Sequence, residues 1–277
     1  MLYGLEDVTS GHIYMNGEEL KLQSSKDAIA HGIGMVHQHF MLVDSLTGAE
    51  NMMLGLKNTM LLSCICTPLV WVLSFLVAIL LNQLKPKGAF FRNSILMPYL
   101  MPSSAMLLIW LVFFDFGGPV NRLVVALGGE RVNWLEGAWL RFPVILMFVW
   151  KNLGFAVIIF LAALQAIPEP LYEYARLEGA SFRYQAFKIT LPLVVPSAFL
   201  VLILAWINAF KIFKEVYFIG GAYPDPAVYT LQNYMNNMFS KLNYQNVTTA
   251  AYSFALIVFA LFGVLFLIQR NLQKNLS

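Results

Sequence analysis

Side chains that could do chemistry are sparse over most of this sequence, and four of them lie inside long apolar runs. Lys151 is the one charged residue within such a run, and Asn152 follows it directly. Trp206 and Asn208 lie together in a later run. Amides can form paired hydrogen bonds with hydroxyl groups, and an aromatic ring can cover the apolar face of a ring-shaped solute. These four residues are therefore candidates for the path of a hydroxylated solute.

Lys151 and the two asparagines also have a plainer interpretation. A charge in hydrocarbon is costly, but Lys151 lies only about 12 Å of helix from the start of its run, so its amine could reach the outer interface. The asparagines could instead bind one helix to another. The sequence leaves both interpretations open.

The apolar runs that carry these residues have the length of membrane spans. Each is 19 to 22 residues long, which at about 1.5 Å per residue matches the roughly 30 Å hydrocarbon layer. Only a helix satisfies the backbone of such a segment in lipid. The composition agrees, because 59% of the residues are hydrophobic and 12% are charged. We therefore predict an all-α polytopic membrane protein with about five transmembrane helices, at residues 60–81, 94–114, 143–164, 192–210 and 247–268.

The second run contains Pro98 and Pro102, which predict a kink because proline removes an internal helix hydrogen bond. The segments between the runs differ in basic residues. Three of them hold eight Lys and Arg in 48 residues, and the other two hold six in 64. Basic segments favour the cytoplasm, and the predicted cytoplasmic segments are 82–93, 165–191 and 269–277. An odd number of spans would then place residues 1–57 outside.

The segment between the third and fourth runs predicts two short helices around a glycine. Pro168 and Pro170 suit a first helical turn, and Gly179 supplies a left-handed residue that ends the helix. Ser181 can cap the next helix. Pro192 is predicted to open the following span.

Both predicted helices of this loop have a distinct face. On the second helix, Phe182, Ala186 and Ile189 form a narrow apolar stripe. The small pair Gly179 and Ala180 would let another backbone approach. Such a knuckle suits insertion into a groove of a partner. The alternative is a loop that lies on the lipid headgroups and transmits nothing.

The residues of this loop resemble the EAA loop of permeases from ATP-binding cassette (ABC) importers. Glu173-Tyr174-Ala175 is followed after three residues by Gly179, and the segment ends Ile189-x-Leu191-Pro192. The segments 132–135 and 160–168 are also similar to the corresponding segments of carbohydrate-uptake permeases. The resemblance covers residues 58–277 and implies a permease domain that normally has six helices.

The resemblance also implies roles and partners. The residues that would couple the chain to an ATPase are Glu173, Ala175, Glu178, Gly179 and Ala180. The chain would be a transport subunit and not an enzyme, in the cytoplasmic (inner) membrane of a prokaryote. Its expected partners are an ABC ATPase dimer, a second permease subunit and an extracytoplasmic solute-binding protein for a sugar or sugar-like solute. ATP and Mg would bind to the ATPase, so we expect no cofactor on this chain.

Residues 1–57 have a different composition, with all four histidines and seven of the fifteen acidic residues. Asn16-Gly17 predicts a tight turn between strands at 12–15 and 18–22. Ser25 predicts a cap for a helix at 26–31, followed by a strand at 33–36. We therefore predict a short α/β N-terminal fragment.

The segment that begins at His37 resembles the Q-loop region of an ABC ATPase of the simple-sugar or nucleoside type, with Gln38 as the Q-loop glutamine. The phosphate-binding string G-x-x-x-x-G-K-[ST] does not occur in the sequence, so Gln38 is expected to be vestigial. The histidines lack a cysteine or carboxylate at ligand spacing, and no metal site is predicted. The scattered Lys and Arg do not predict nucleic-acid binding.

The predicted domains are thus a truncated ABC ATPase fragment at residues 1–57 and a permease domain at residues 58–277. The permease resemblance starts where a second span of that family would start. The leading hypothesis is a permease subunit of a sugar importer. The alternative is a non-functional fusion of truncated ATPase and permease genes.

Overall fold

The structure is a computed structural model that describes residues 13–15, 18–20, 47–84 and 89–276. The chain divides into two compact units, Met1–Met41 and Leu42–Ser277. In the first unit, β1 (Ile13–Met15) pairs antiparallel with β2 (Glu18–Leu20), with Tyr14 opposite Glu19. This confirms the predicted strand pair. The predicted turn, the helix at 26–31, the strand at 33–36, Gln38 and the histidines lie outside the described residues.

The described part of the second unit is helical. A 3₁₀ helix, Gly137–Leu140, precedes the helix Arg141–Gln165, and a π-helical turn, Ala186–Thr190, joins the helices Phe182–Gln185 and Leu191–Phe210. The helices are α1 (Gly48–Gln83), α2 (Ala89–Leu100), α3 (Ser103–Phe114), α4 (Pro119–Ala126), α5 (Arg141–Gln165), α6 (Glu169–Leu177), α7 (Phe182–Gln185), α8 (Leu191–Phe210), α9 (Phe213–Gly220), α10 (Leu231–Ser240) and α11 (Tyr244–Leu276).

Five helical segments of the described chain are long and apolar enough to cross a membrane, which agrees with the predicted number. Most of them extend beyond the predicted ends, because a helix continues past the hydrocarbon layer wherever its residues permit. The segments are Gly48–Gln83, Ser103–Ala126, Gly137–Gln165, Phe182–Gly220 and Tyr244–Leu272.

Helix α1 begins well before the predicted first span. Thr47 and Glu50 form a reciprocal capping box: the Thr47 backbone N–H donates to Glu50 Oε2 at 2.7 Å, and the Glu50 N–H donates to Thr47 Oγ1 at 3.3 Å. The helix then runs unbroken to Gln83. The domain boundary predicted at residue 57 therefore falls inside a continuous helix, because hydropathy marks the apolar run and does not register the cap at Thr47.

The second predicted span, 94–114, is two helices and not one. Helix α2 ends at Leu100, and α3 begins at Ser103 after Pro102, whose ψ of 131° is extended. A residue before proline is driven out of helical geometry, and proline donates no hydrogen bond. The predicted kink is confirmed and is a full break at Met101–Pro102.

The core of the bundle lies between α1, α5 and α8. Phe160 of α5 is fully buried and makes edge contacts with Trp71 and Phe75 of α1, with ring centroids 6.2 and 5.2 Å apart. The Trp71 indole N–H donates to the Ala198 carbonyl of α8 at 2.8 Å. A buried indole needs a partner for its donor, so this bond fixes α1 against α8.

The first turns of α1 pack against α10 and the segment before it. The Asn58 amide donates to the carbonyls of Pro226 and Tyr229 at 2.8 and 2.9 Å, and the Leu231 N–H donates to Thr59 Oγ1 at 3.0 Å. A Cβ on Gly55 would lie 2.9 Å from the Leu231 backbone. Burial raises the pKa of Tyr229 to about 12, so its hydroxyl stays protonated at neutral pH.

A glycine sets the closest approach between α2 and α5. A Cβ on Gly154 would lie 2.0 Å from the Ile95 carbonyl oxygen, a distance that no side chain can occupy. Next to this contact, Tyr99 stacks on Phe155 with ring centroids 4.8 Å apart. Small residues permit this kind of close helix packing in membranes.

We predict that Gly154→Ala forces α2 away from α5 and destabilises the protein by about 1–3 kcal/mol, the usual range for overpacking. The matched control is Gly263→Ala in α11, where a Cβ meets nothing within 4 Å. Thermal unfolding in detergent measures both. Equal melting temperatures for the two variants would contradict the close approach.

Candidate functional site

The two-helix loop between α5 and α8 turns at Gly179. Its φ of +77° is in the left-handed region, which favours glycine. The Ala180 N–H donates to the Ala175 carbonyl at 2.8 Å and the Gly179 N–H donates to the Arg176 carbonyl at 3.0 Å, so the carbonyls at the end of α6 are satisfied. Ser181 Oγ accepts from the Tyr184 N–H at 3.3 Å and caps α7. The predicted glycine elbow and serine cap are confirmed.

The second helix of the loop does not end before the next span. Helix α7 continues through the π-helical turn into α8 without a break, and Pro192 lies in the first turn of α8, within this continuous helix. Pro192 therefore opens α8 as predicted, because the first turn of a helix tolerates the missing proline N–H, and the loop helix leads into it without a break. A π-helical turn often marks a functional position in a helix.

Several large apolar side chains of the loop point away from the rest of the chain. Leu177 is 84% exposed and Phe182 is 76% exposed. Tyr174 and Phe187 are also exposed, whereas Ala186 and Ile189 are half-buried. The predicted stripe on the second helix is therefore divided, with Phe182 facing outward and the other two residues facing the chain.

Side-chain hydrogen bonds tie α6 to the helix that enters α8. The Tyr172 hydroxyl lies 2.8 Å from Thr190 Oγ1, in the π-helical turn. The Gln185 amide donates to the Ala180 carbonyl at 2.9 Å. The loop is thus held as one piece whose displacement would move the start of α8.

The coupling residues predicted from the sequence lie on this elbow. Glu173, Glu178 and Gly179 are exposed, and Ala175 and Ala180 are half-buried. Beneath the elbow, a groove of about 620 Å³ separates the loop from the end of α1. Asn82 and Gln83 line it on the α1 side, and the loop contributes Tyr172, Arg176, Phe182 and Gln185.

Two of the four candidates for the solute path share one small cavity between α5 and α8. Asn152 and Asn208 both line it, together with Phe155. The Asn152 amide also donates to the Phe148 carbonyl of its own helix at 2.9 Å. Trp206 does not line this cavity, and its ring packs on Phe210 with centroids 5.5 Å apart.

Lys151 has a partner that the sequence pattern did not predict. Its amine donates to Ser103 Oγ at 2.5 Å and lies 3.2 Å from Glu215 Oε1 in α9. The amine is therefore held within the chain, which neither the cavity role nor the interfacial role foresaw. The signal that could have revealed Glu215 is physical: a cation inside an apolar span needs a carboxylate, and Glu215 lies just beyond the fourth predicted span.

These features define a multi-pass membrane protein with an exposed two-helix loop set on one of its spans. Residues 58–277 match the family model described as "Binding-protein-dependent transport system inner membrane component". The chain belongs to this family, whose members are inner-membrane permeases. This membership and the apolar helices place it in the cytoplasmic membrane.

Among curated proteins, the chain is similar to permeases of solute transport systems. It is 34% identical over 186 residues to the trehalose/maltose transport system permease protein MalF of Thermococcus litoralis, covering 64% of this chain and 62% of that one. It is 34% identical over 181 residues to the sulfoquinovosyl glycerol transport system permease protein SmoG of Agrobacterium fabrum, covering 65% and 59%. The chain thus spans about three fifths of the length of these two relatives.

Solved structures support the fold. A chain of a bacterial alginate ABC transporter, in complex with an alginate pentasaccharide-bound periplasmic protein, superposes with a TM-score of 0.71. The match covers 80% of this chain and 79% of that one at 23% identity. The helical permease architecture is therefore shared.

We predict that Gly179→Ala loosens the elbow, because a side chain in the left-handed region costs about 1–2 kcal/mol. Trypsin should then cut after the exposed Arg176 and Arg183 about 5 to 30 times faster than in the parent. Gly179→Asn is the control, since asparagine tolerates this geometry and should give a smaller increase. An unchanged cleavage rate in Gly179→Ala would contradict the strained turn.

Proposed function

We propose that this chain is the transmembrane permease subunit of an ABC importer that moves a sugar or sugar-like solute across the cytoplasmic membrane. The observation that carries the proposal is the exposed apolar elbow at Gly179, built on a helix that continues into a span. Membership of the permease family supports it. The named relatives act on trehalose or maltose and on sulfoquinovosyl glycerol, which supports the sugar class.

The elbow is the proposed contact with an ATPase subunit. Leu177 and Phe182 offer apolar side chains that a groove would remove from water, a favourable transfer at about 25 cal/mol per Å². Glu173 and Glu178 flank them with negative charge. The small pair Gly179 and Ala180 lets the partner's backbone approach closely. Such an element suits insertion into a preformed groove.

The continuous helix supplies the route for mechanical input. A partner that moves Phe182 would move α7, the π-helical turn and α8 together, since no break in the helix absorbs the displacement. The Tyr172–Thr190 hydrogen bond makes α6 follow. The alternative, a loop lying on lipid headgroups, would not require this internal bracing.

The partners follow from this role. We propose that an ABC ATPase dimer binds ATP and Mg and hydrolyses the nucleotide, so this chain acts as a transport subunit and not as an enzyme. A second permease subunit and an extracytoplasmic solute-binding protein complete the importer. The family description and the periplasmic protein in the alginate transporter complex support this assembly.

The proposed solute contacts are Asn152 and Asn208, which both line one cavity of about 10 Å³ between α5 and α8, so a sugar would reach them only after the helices move apart. Amides pair with hydroxyl groups through both a donor and an acceptor. Trp206 lies two residues from Asn208 on the same helix and offers an aromatic face once α8 shifts.

We infer that residues 1–57 derive from an ABC ATPase, with Gln38 as a vestigial Q-loop glutamine. If the chain were an accidental fusion joined near residue 57, the residues on the two sides of the join would not be expected to pack in one helical bundle. The packing of Gly55 on Leu231, and the bonds of Asn58 to the segment before α10, support a chain in which residues on both sides of that join serve one bundle. The packing therefore favours the functional hypothesis over the inactive fusion.

The test is ATP-driven uptake of labelled sugars by proteoliposomes that contain the full chain, a second permease subunit, an ATPase dimer and a solute-binding protein. The proposal predicts uptake that requires ATP and the binding protein. An assembled complex that hydrolyses ATP but takes up no sugar from a panel of mono- and oligosaccharides would contradict it.

We predict that Leu177→Ser and Phe182→Ser each reduce uptake at least tenfold, since about 1.4 kcal/mol of lost docking energy corresponds to tenfold weaker binding. The control is Leu127→Ser, because Leu127 is 80% exposed but follows α4, far along the chain from the elbow. The control variant should transport as the parent does. Equal losses in all three variants would show a general effect of exposed serine and contradict a specific docking role.

A further inference from the structure

Lys151 and Glu215 form the one salt bridge among the described residues, with the amine 3.2 Å from Oε1. The side chains are 16% and 6% exposed. The Lys151 amine also donates to Ser103 Oγ. One amine therefore connects three helices, α5, α9 and α3.

Ser103 places this contact at the break in the second span. It is the first residue of α3, directly after Pro102. Before the break, α2 is fixed to α5 by the close approach of Ile95 to Gly154 and by the stacking of Tyr99 on Phe155.

Beyond the break, α3 packs in a different way. Met106 and Leu107 of α3 form a small buried cluster with Met147 of α5, against which Ile219 of α9 packs. Helix α3 thus sits between α5 and α9. On one side of the break α2 packs on α5, and on the other side α3 packs against both α5 and α9. Lys151 contacts the first residue of α3 after the break.

The energetics of such a pair argue for a positional role. Removing water from two charges costs about as much as their attraction returns, and well-packed apolar residues often stabilise a fold equally well. Removing only one partner leaves an uncompensated buried charge, which is strongly destabilising. Apolar residues at these two positions would therefore stabilise the fold about as well. The specific contribution of the pair is to fix which helices lie against each other.

The pairing also argues against an anion-binding role for Lys151. Its positive charge is already matched by Glu215 at salt-bridge distance. A negatively charged solute would have to compete with a fixed carboxylate. Lys151 is better described through its effect on helix position than as a solute ligand.

We propose that Lys151 and Glu215 are positioning residues that hold α3 and α9 in one arrangement against α5, with the break at Met101–Pro102 as the hinge. When the pair opens, α3 and α9 can move while α2 stays on α5. The helix geometry of this proposal stands on its own, and its consequence for transport rests on the proposed function.

The direct test measures distance across the hinge in the full chain in lipid nanodiscs. Spin labels are placed on Met97→Cys and Leu108→Cys, two exposed positions on α2 and α3, in a background with Cys64→Ser and Cys66→Ser. The labelled parent should give one narrow distance distribution. Lys151→Met/Glu215→Leu should add a second, separate distance population.

Two controls separate position from folding. The double apolar variant should keep the parent's unfolding midpoint, whereas Lys151→Met alone should lower it. The exchanged pair, Lys151→Glu/Glu215→Lys, should restore the single narrow distribution. A double apolar variant that folds and gives the parent's single distribution would overturn the proposal.

A second readout uses the assembled complex. The double apolar variant should hydrolyse ATP in the absence of solute several-fold faster than the parent, because α3 and α9 are no longer held in one arrangement. Hydrolysis that stays as dependent on solute as in the parent would overturn the role in transport. Failure of the parent complex to take up any sugar would count against the proposed function and leave the distance result as an independent test of the hinge.

Discussion

A polar group in hydrocarbon has no water to bond with, and this constraint explains the main contacts of the bundle. The Trp71 indole reaches the Ala198 carbonyl, the Asn58 amide reaches the carbonyls before α10, and the Lys151 amine reaches Glu215. Each of these bonds joins residues more than 60 positions apart in the chain. Apolar packing alone discriminates weakly between helix arrangements in lipid, so these bonds specify which helices are neighbours.

The same constraint bears on where the helices of the spans break and where they continue. At Pro102 the backbone leaves helical geometry, and Lys151 of α5 bonds both to Ser103, directly after the break, and to Glu215 of α9. At Pro192 the helix continues, so α7, the π-helical turn and α8 form one unbroken helical segment that begins at the exposed elbow. The described chain thus has one span with a continuous helix leading into it and another span with a break.

What the sequence predicted well is what depends on local chemistry. Hydropathy gave the number of spans, and the left-handed preference of glycine gave the elbow at Gly179. Contacts between distant residues were missed: Glu215 as the partner of Lys151, and the approach of Ile95 to Gly154. Helix α1 was predicted too short, because its start depends on a cap and on packing against α10, and hydropathy reports neither. The coupling role of the elbow stays a prediction.

Photo-cross-linking from the elbow would show whether it docks on an ATP-hydrolysing subunit. A benzophenone side chain is placed at Phe182, or at Leu127 as the comparison, in the complex within membranes. We expect an adduct between position 182 and the ATPase subunit, and none between position 127 and that subunit. Adducts from position 182 with lipid alone, in a complex where the ATPase subunit is present, would contradict it.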